Sequence, residues 1–156
     1  ERAMSAEATL KNLGIELPNP PTPMGSYVGA KRVGNLVYIS GQGPRNPDGS
    51  SITGKVGTDG MSIEDAQAAA RQVGMNALAT LRAEIGDLDQ VKQIVKVLGM
   101  VNATPDFKQH PKVINGFSDL MFEVFGEAGR HARSAVGMSS LPMQIPVEVE
   151  MIVELG

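Results

Sequence analysis

The last strand-like segment, Val147-Glu148-Val149-Glu150-Met151-Ile152-Val153-Glu154-Leu155, constrains this chain most. Successive side chains of a strand point to opposite faces. Val147, Val149, Met151 and Val153 therefore share one face of a sheet, while Glu148, Glu150 and Glu154 share the other. The first face belongs to a core. The second is costly to cover unless something positive or wet meets its carboxylates.

The rest of the chain must build around such a sheet. Ser26 to Val33 reads as a first strand, turning at Gly34-Asn35 into the apolar strand Leu36-Val37-Tyr38-Ile39-Ser40. Ser62 caps a long helix with acids in its first turn and an apolar stripe of Ala66, Ala70, Val73, Ala77, Leu81 and Ile85, ending at Gly86. Ile94 to Val101 is a strand. Pro111 opens a second helix to about Phe125, with Val113, Phe117, Leu120, Met121 and Val124 as its buried face. Arg133 to Met138 and Val147 to Leu155 close the order ββαβαββ. Two helices cover only one face of a sheet, yet Leu36–Ile39 and Ile94–Leu98 carry apolar side chains on both. A second subunit is the economical cover for the other face.

Ahead of this core, Ser5 reads as the N-cap of a short amphipathic helix with Ala8, Leu10 and Leu13 apolar and Gly14 as its stop. Leu17-Pro18-Asn19-Pro20-Pro21-Thr22-Pro23 holds four prolines and reads as an extended connector. The expected division is thus 1–24 for helix and connector and 25–156 for the main domain. Glu1 to Leu17 lacks the apolar core of a secretory signal, and no stretch approaches the ~20 apolar residues of a membrane span. A soluble, cytoplasmic protein is expected. Fourteen basic against seventeen acidic residues offer no basic footprint for nucleic acid. With no cysteine, thiol chemistry and sulfur-bound metals are excluded, and two histidines leave little for a histidine cage.

Several motifs have bland readings. Gly49-Ser50-Ser51-Ile52-Thr53-Gly54-Lys55-Val56 resembles a phosphate loop but has Val56 where the metal-binding hydroxyl belongs, so it reads as a glycine-rich loop. Gly41-Gln42-Gly43 is followed by Pro44 and the Asn46-Pro47-Asp48-Gly49 turn rather than a helix. Its glycines serve a backbone turn or the approach of a ligand beside Ser40. The nine methionines read as core filler. His110 reads as a helix-entry residue, and His131 as a solvated loop histidine rather than a general base. Arg133 and Glu148 stand at the ends of two strands whose hairpin pairing would bring them together. A guanidinium there offers a planar fork to a carboxylate, and the acid can orient or deprotonate a water.

Gly25-Ser26-Tyr27-Val28 with Gly34-Asn35-Leu36-Val37-Tyr38-Ile39-Ser40-Gly41-Gln42 resembles the opening of the RidA/YjgF family, the reactive-intermediate deaminases long called L-PSP endoribonucleases. Ala132-Arg133-Ser134-Ala135-Val136, Leu141-Pro142 and Val147-Glu148-Val149-Glu150 resemble its closing signature, and Val113-Ile114-Asn115 fits as well. The resemblance runs from about Gly25 to Leu155. It implies an α+β, chorismate-mutase-like mixed sheet with two long helices on one face, a homotrimer, and sites in clefts between subunits. It implies hydrolysis of enamines and imines such as 2-aminoacrylate to 2-oxo acids and ammonia, without a cofactor. Arg133 matches the residue that binds the substrate carboxylate and Glu148 the acid at the attacking water. Tyr27, Ser40, Gly41 and Asn115 match pocket positions, and the Ala135 carbonyl would help hold the water.

The family often carries cysteine at the Ala135 position, and Thr104–His110 and Gly137–Gln144 diverge from its pattern. The alternatives are a non-catalytic trimeric binder of 2-oxo acids, or a chaperone-like protein, on the same fold. A ribonuclease fits least, since RNA binding needs phosphate neutralisation and stacking that an acidic chain with 4% aromatic residues supplies poorly.

Overall fold

Helix α2 (Ile63–Ile85) is the backbone of the core in the computed structural model, which describes residues 4–156. Ser62 Oγ accepts from the Asp65 amide at 3.1 Å, Glu64 and Asp65 lie in the first turn, and Gly86 ends the helix at φ 88°. The expected stripe from Ala66 to Ile85 is buried throughout. Its small side chains let α3 (His110–Phe125) approach closely. A Cβ on Gly116 of α3 would overlap the Gln67 carbonyl oxygen of α2. The expected face of α3 is buried, joined by Ile114 and Phe125. Each of its large apolar side chains contributes about 1.5–3 kcal/mol on leaving water.

The sheet contains β1 (Ala30–Val33), β2 (Leu36–Gln42), β3 (Val91–Asn102), β4 (Ala132–Met138) and β5 (Val147–Leu155), in the order β1-β2-β5-β3-β4. Only β3 and β4 run parallel; the remaining pairs are antiparallel. Hence β4 and β5 are not neighbours, contrary to the hairpin expected from sequence: β3 lies between them. The connection from β3 through α3 is a crossover, which returns the chain parallel to β3 and places β4 on its outer side. β5 meanwhile fills the gap between β2 and β3.

Two local expectations also change. Regular pairing of the first strand begins at Ala30 rather than Ser26. The preceding segment is tied down by Ser40, whose amide donates to the Gly29 carbonyl at 2.9 Å and whose hydroxyl donates to the Val28 carbonyl at 2.6 Å. The N-terminal helix α1 (Ala6–Asn12) has its Ser5 cap, but it buries Ala6 and Leu10, one turn apart, and exposes Ala8 and Leu13. Glu7 docks it: one carboxylate oxygen pairs with Arg82 and the other accepts from the Leu88 amide, each at 2.9 Å. Residues 1–3 of the expected N-terminal segment lie outside the described residues.

Helices α2 and α3 pack on one face of the sheet, over Val37, Val97, Val101, Val147, Val149 and Val153. Among the described residues no element covers the opposite face. Val33, Tyr38 and Val136 are exposed there beside Glu150, matching the prediction that one sheet face is left without a partner within the chain. No helix among the described residues is long and apolar enough to cross a membrane.

Candidate functional site

Most of the residues singled out from sequence fall into two separate clusters. In register, Arg133 lies opposite Val97, whose side chain faces the helices, so Arg133 is on the helix-covered side. Glu148 lies opposite Met100 and alternates with buried Val147 and Val149, so it is on the open side. One chain therefore cannot bring the two side chains together.

The Arg133 cluster is organised by α3. Arg133 Nη1 donates to Asn115 Oδ1 at 2.9 Å and to Ser118 Oγ at 3.0 Å. Asn115 and Ser118 are three residues apart and so share a helix face. Both Nη1 hydrogens are thereby used, and among the described residues Nε and Nη2 keep no partner. Their common edge is the side of a guanidinium that grips a carboxylate with two parallel hydrogen bonds.

His131 extends this chain of contacts and corrects the expectation of a solvated ring. Its Nδ1 lies 2.8 Å from the Gly129 carbonyl, its Nε2 lies 2.9 Å from Ser118 Oγ, and its ring packs edge-on against Phe117. A carbonyl only accepts, so Nδ1 carries the proton. In the neutral ring Nε2 then accepts from the Ser118 hydroxyl, whose lone pair faces Arg133. Burial holds the imidazole below the ordinary histidine range; the Gly129 carbonyl opposes the shift and the Arg133 charge adds to it. A neutral His131 is what this arrangement requires.

The Glu148 cluster is a cavity of about 270 Å³ walled by Tyr27, Gly41, Arg45, Met143, Ile145 and Glu148, among others. Burial first, and then the charge of Glu150, push the Glu148 carboxyl above the usual carboxylate range. No hydrogen bond or ion pair to its carboxylate is present among the described residues. A protonatable acid without an internal partner, facing a cavity, is suited to holding and deprotonating a water. Gly41 is what admits it: a Cβ there would overlap Glu148 Oε2. Met143 of the wall and Gln144 after it adopt left-handed backbone at φ 55° and 60°, strain of the kind found at ligand sites.

Tyr27, Gly41 and Glu148 thus share one cavity, and Asn115 and Arg133 share the other cluster. Ser40 and Ala135 line neither. Ser40 spends its hydroxyl on Val28, while Ala135 lies opposite Gly99 and packs against the core. Lys55 of the phosphate-loop-like run is also spent, donating to Asn102 Oδ1 at 2.6 Å and to the Ser139 carbonyl at 2.7 Å. No group of histidine and carboxylate side chains among the described residues could hold a metal ion. Sequence reasoning missed Ser118, the link it makes between His131 and Arg133, and Arg45 in the cavity wall. The three-residue interval from Asn115 to Ser118 was the available signal for the first.

The whole fold has relatives. A family model described as YjgF/chorismate mutase-like, whose description also carries the word endoribonuclease, matches residues 7–155. Protein TCP17 of Trypanosoma cruzi is 43% identical over 150 residues, covering 96% of this chain and 93% of that protein. The 2-iminobutanoate/2-iminopropanoate deaminase of Dermatophagoides farinae is 33% identical over 139 residues, covering 89% and 93%. The crystal structure of Atu1372 from Agrobacterium tumefaciens, a protein of unknown function, superposes with a TM-score of 0.87 at 42% identity, covering 97% of this chain and 94% of that one. With residues 7–155 matched by the family model, the chain belongs to the YjgF/chorismate mutase-like family.

Proposed function

We propose that the protein is an enamine/imine deaminase that hydrolyses 2-aminoacrylate-like intermediates to 2-oxo acids and ammonia. The observation that carries this reading is the Arg133 fork. Its Nη1 edge is fixed by Asn115 and Ser118 while its Nε and Nη2 edge stays open. The named activity of the Dermatophagoides farinae relative supports the same reading. Because Arg133 and Glu148 face opposite sides of the sheet, a complete site takes Arg133 from one copy of the chain and Glu148 from its neighbour. The uncovered sheet face supports such an assembly, and we propose a homotrimer with three shared clefts.

The steps follow from the groups present. The Arg133 edge holds the substrate carboxylate, which fixes the adjacent C=N carbon. The enamine tautomerises to the imine. Glu148 accepts a proton from water as the oxygen adds to that carbon and returns it to the nitrogen, giving a carbinolamine. The hydroxyl proton then passes through Glu148 to the amine, and the C–N bond breaks as the oxygen becomes the ketone of a 2-oxo acid, releasing ammonia. An acid whose proton affinity is already raised suits both accepting and returning this proton.

An amino-acid oxidase that generates imines in the presence of semicarbazide tests the proposal. The wild type is expected to suppress semicarbazone formation, and Arg133→Ala to lose that effect. Equal behaviour of both proteins with neutral, acidic and aromatic imines would overturn it. Light scattering checks the assembly: a monomer at micromolar concentration removes the shared site. Tight binding of 2-oxo acids without turnover would leave a ligand-binding protein on the same clefts.

A further inference from the structure

Arg45 has no role in the deaminase chemistry above, yet it lies in the wall of the Glu148 cavity. Its backbone is pinned. The Arg45 amide donates to the Gly43 carbonyl at 3.0 Å, and its carbonyl accepts from Asn76 Nδ2 at 3.2 Å. Asn76 is 3% exposed and also donates to the Gly43 carbonyl at 2.9 Å, so helix α2 holds this stretch from below. Pro44 precedes Arg45 and a bridge to Ser51 follows it. The position of Arg45 at the cavity is therefore a feature of the fold rather than of a loose loop.

Among the described residues the guanidinium has no anionic partner. Among the described residues its recorded side-chain contact is Met24 Sδ, at 3.7 Å from Nη2. The ion pairs among those residues join Arg71 to Glu123, Arg82 to Glu7, Lys92 to Glu154 and Arg130 to Glu127, and Arg45 enters none. Glu148 is the other charged residue of the cavity wall, which is otherwise prolines, methionines, glycines, Ile145 and neutral polar groups. No ion pair among the described residues joins Arg45 to Glu148.

A ligand entering this cavity strips water from Arg45. An alkyl side chain would leave that cation desolvated and unpaired, which costs free energy; a carboxylate would neutralise it through charge-assisted hydrogen bonds. The α-carboxylate of the substrate is already claimed by Arg133 of the neighbouring copy. We infer that Arg45 is a subsite for a second carboxylate, and that the preferred substrates are 2-imino dicarboxylates, the imines left when the amine of an acidic amino acid is oxidised. This rests on the deaminase reading for its chemistry: C=NH and water become C=O and ammonia, and the distal carboxylate takes no part. A reaction that oxidises acidic amino acids at the α-carbon must supply such a substrate.

The test compares imines made in place from aspartate or glutamate with the imine made from alanine, using semicarbazide as the competing trap. Wild type is expected to favour the dicarboxylates in kcat/KM by about tenfold or more, the scale of a hydrogen bond to a charged group that the competing ligand cannot make. Arg45→Gln is expected to collapse that ratio toward unity, and Arg45→Lys to restore part of it. The ratio is internal to each variant, so partial misfolding does not mimic the result. No preference in the wild type, or an unchanged ratio in Arg45→Gln, would overturn the subsite. If no imine is hydrolysed, the deaminase reading fails and calorimetry with 2-oxo acids decides the subsite. Tighter binding of 2-oxoglutarate than of 2-oxobutanoate, lost in Arg45→Gln, would uphold it; equal binding would refute it.

Discussion

The two charged clusters are built in opposite ways. Arg133 stands at the end of a chain of hydrogen bonds that runs from the Gly129 carbonyl through His131 and Ser118, with Asn115 as a second anchor. Glu148 has no such anchor and is held by shape, in the space that Gly41 leaves vacant. The cation's direction is thus set before any ligand arrives, and it is one edge of the group that is offered. The acid has no hydrogen-bond partner among the described residues, and its burial raises its affinity for a proton. On the proposed deaminase reading, one half is preorganised for binding and the other is poised for proton transfer.

That contrast breaks most completely at Arg133. Arg133→Ala should lower kcat/KM by about 10²–10³-fold and abolish calorimetric binding of 2-oxobutanoate, as losing a charge-assisted carboxylate pair does. Glu148→Gln should do the reverse, with kcat falling about 10²-fold and KM changing little. The same variant should melt at a higher temperature at neutral pH. The native Glu148 carboxyl binds its proton more tightly than the unfolded one, whose ordinary value is 4.5. Its favourable contribution is complete below that value and disappears as pH rises through the native one. Melts of wild type and Glu148→Gln from pH 4 to 8 should therefore diverge as pH rises.

Gly41→Ala sharpens the claim about shape, because it removes no polar group. Displacing the carboxylate should cut kcat about tenfold, with binding of 2-oxo acids retained. Ser118→Ala takes away one of the two acceptors on Arg133 Nη1 and should raise KM about fivefold, the equivalent of roughly 1 kcal/mol, with kcat unaltered. The smallest effect belongs to His131. Its native imidazole binds a proton more weakly than the unfolded one, so its contribution is present above the ordinary value of 6.5 and lost as pH falls through the native value. Wild type should lose stability over that acidic range more steeply than His131→Gln.

The elements readable in the sequence were those with a local period. The stripe on α2, the face of α3 and the alternation of β5 each follow from spacing within one segment, and each is buried as expected. Strand order was not legible, because nothing in Arg133–Met138 or Val147–Leu155 says which will border β3; the crossover through α3 decides that. The first strand was overextended because Ser26–Gly29 is fixed by Ser40 rather than by a ladder. Arg133 and Glu148 were visible through family resemblance, whereas the partners of Arg133 depend on how α3 lies over β4. His131 looked like a loop residue since its neighbours in sequence, Arg130 and Arg133, are charged. Its burial comes from Phe117 and Ser118, more than ten positions away.

The placement of Arg133 and Glu148 on opposite faces of one sheet also has a genetic consequence. With the proposed shared clefts, two alleles, Arg133→Ala and Glu148→Gln, each crippled alone, should complement when their products assemble together. A cleft becomes whole wherever an intact arginine meets an intact glutamate from the next chain. Random mixing of equal amounts makes about a quarter of the clefts whole in a closed ring. Both lesions on a single allele would leave a normal second copy to supply the active clefts, and that copy would form them chiefly with itself. Heterozygosity for two different defects would then be milder than homozygosity for either.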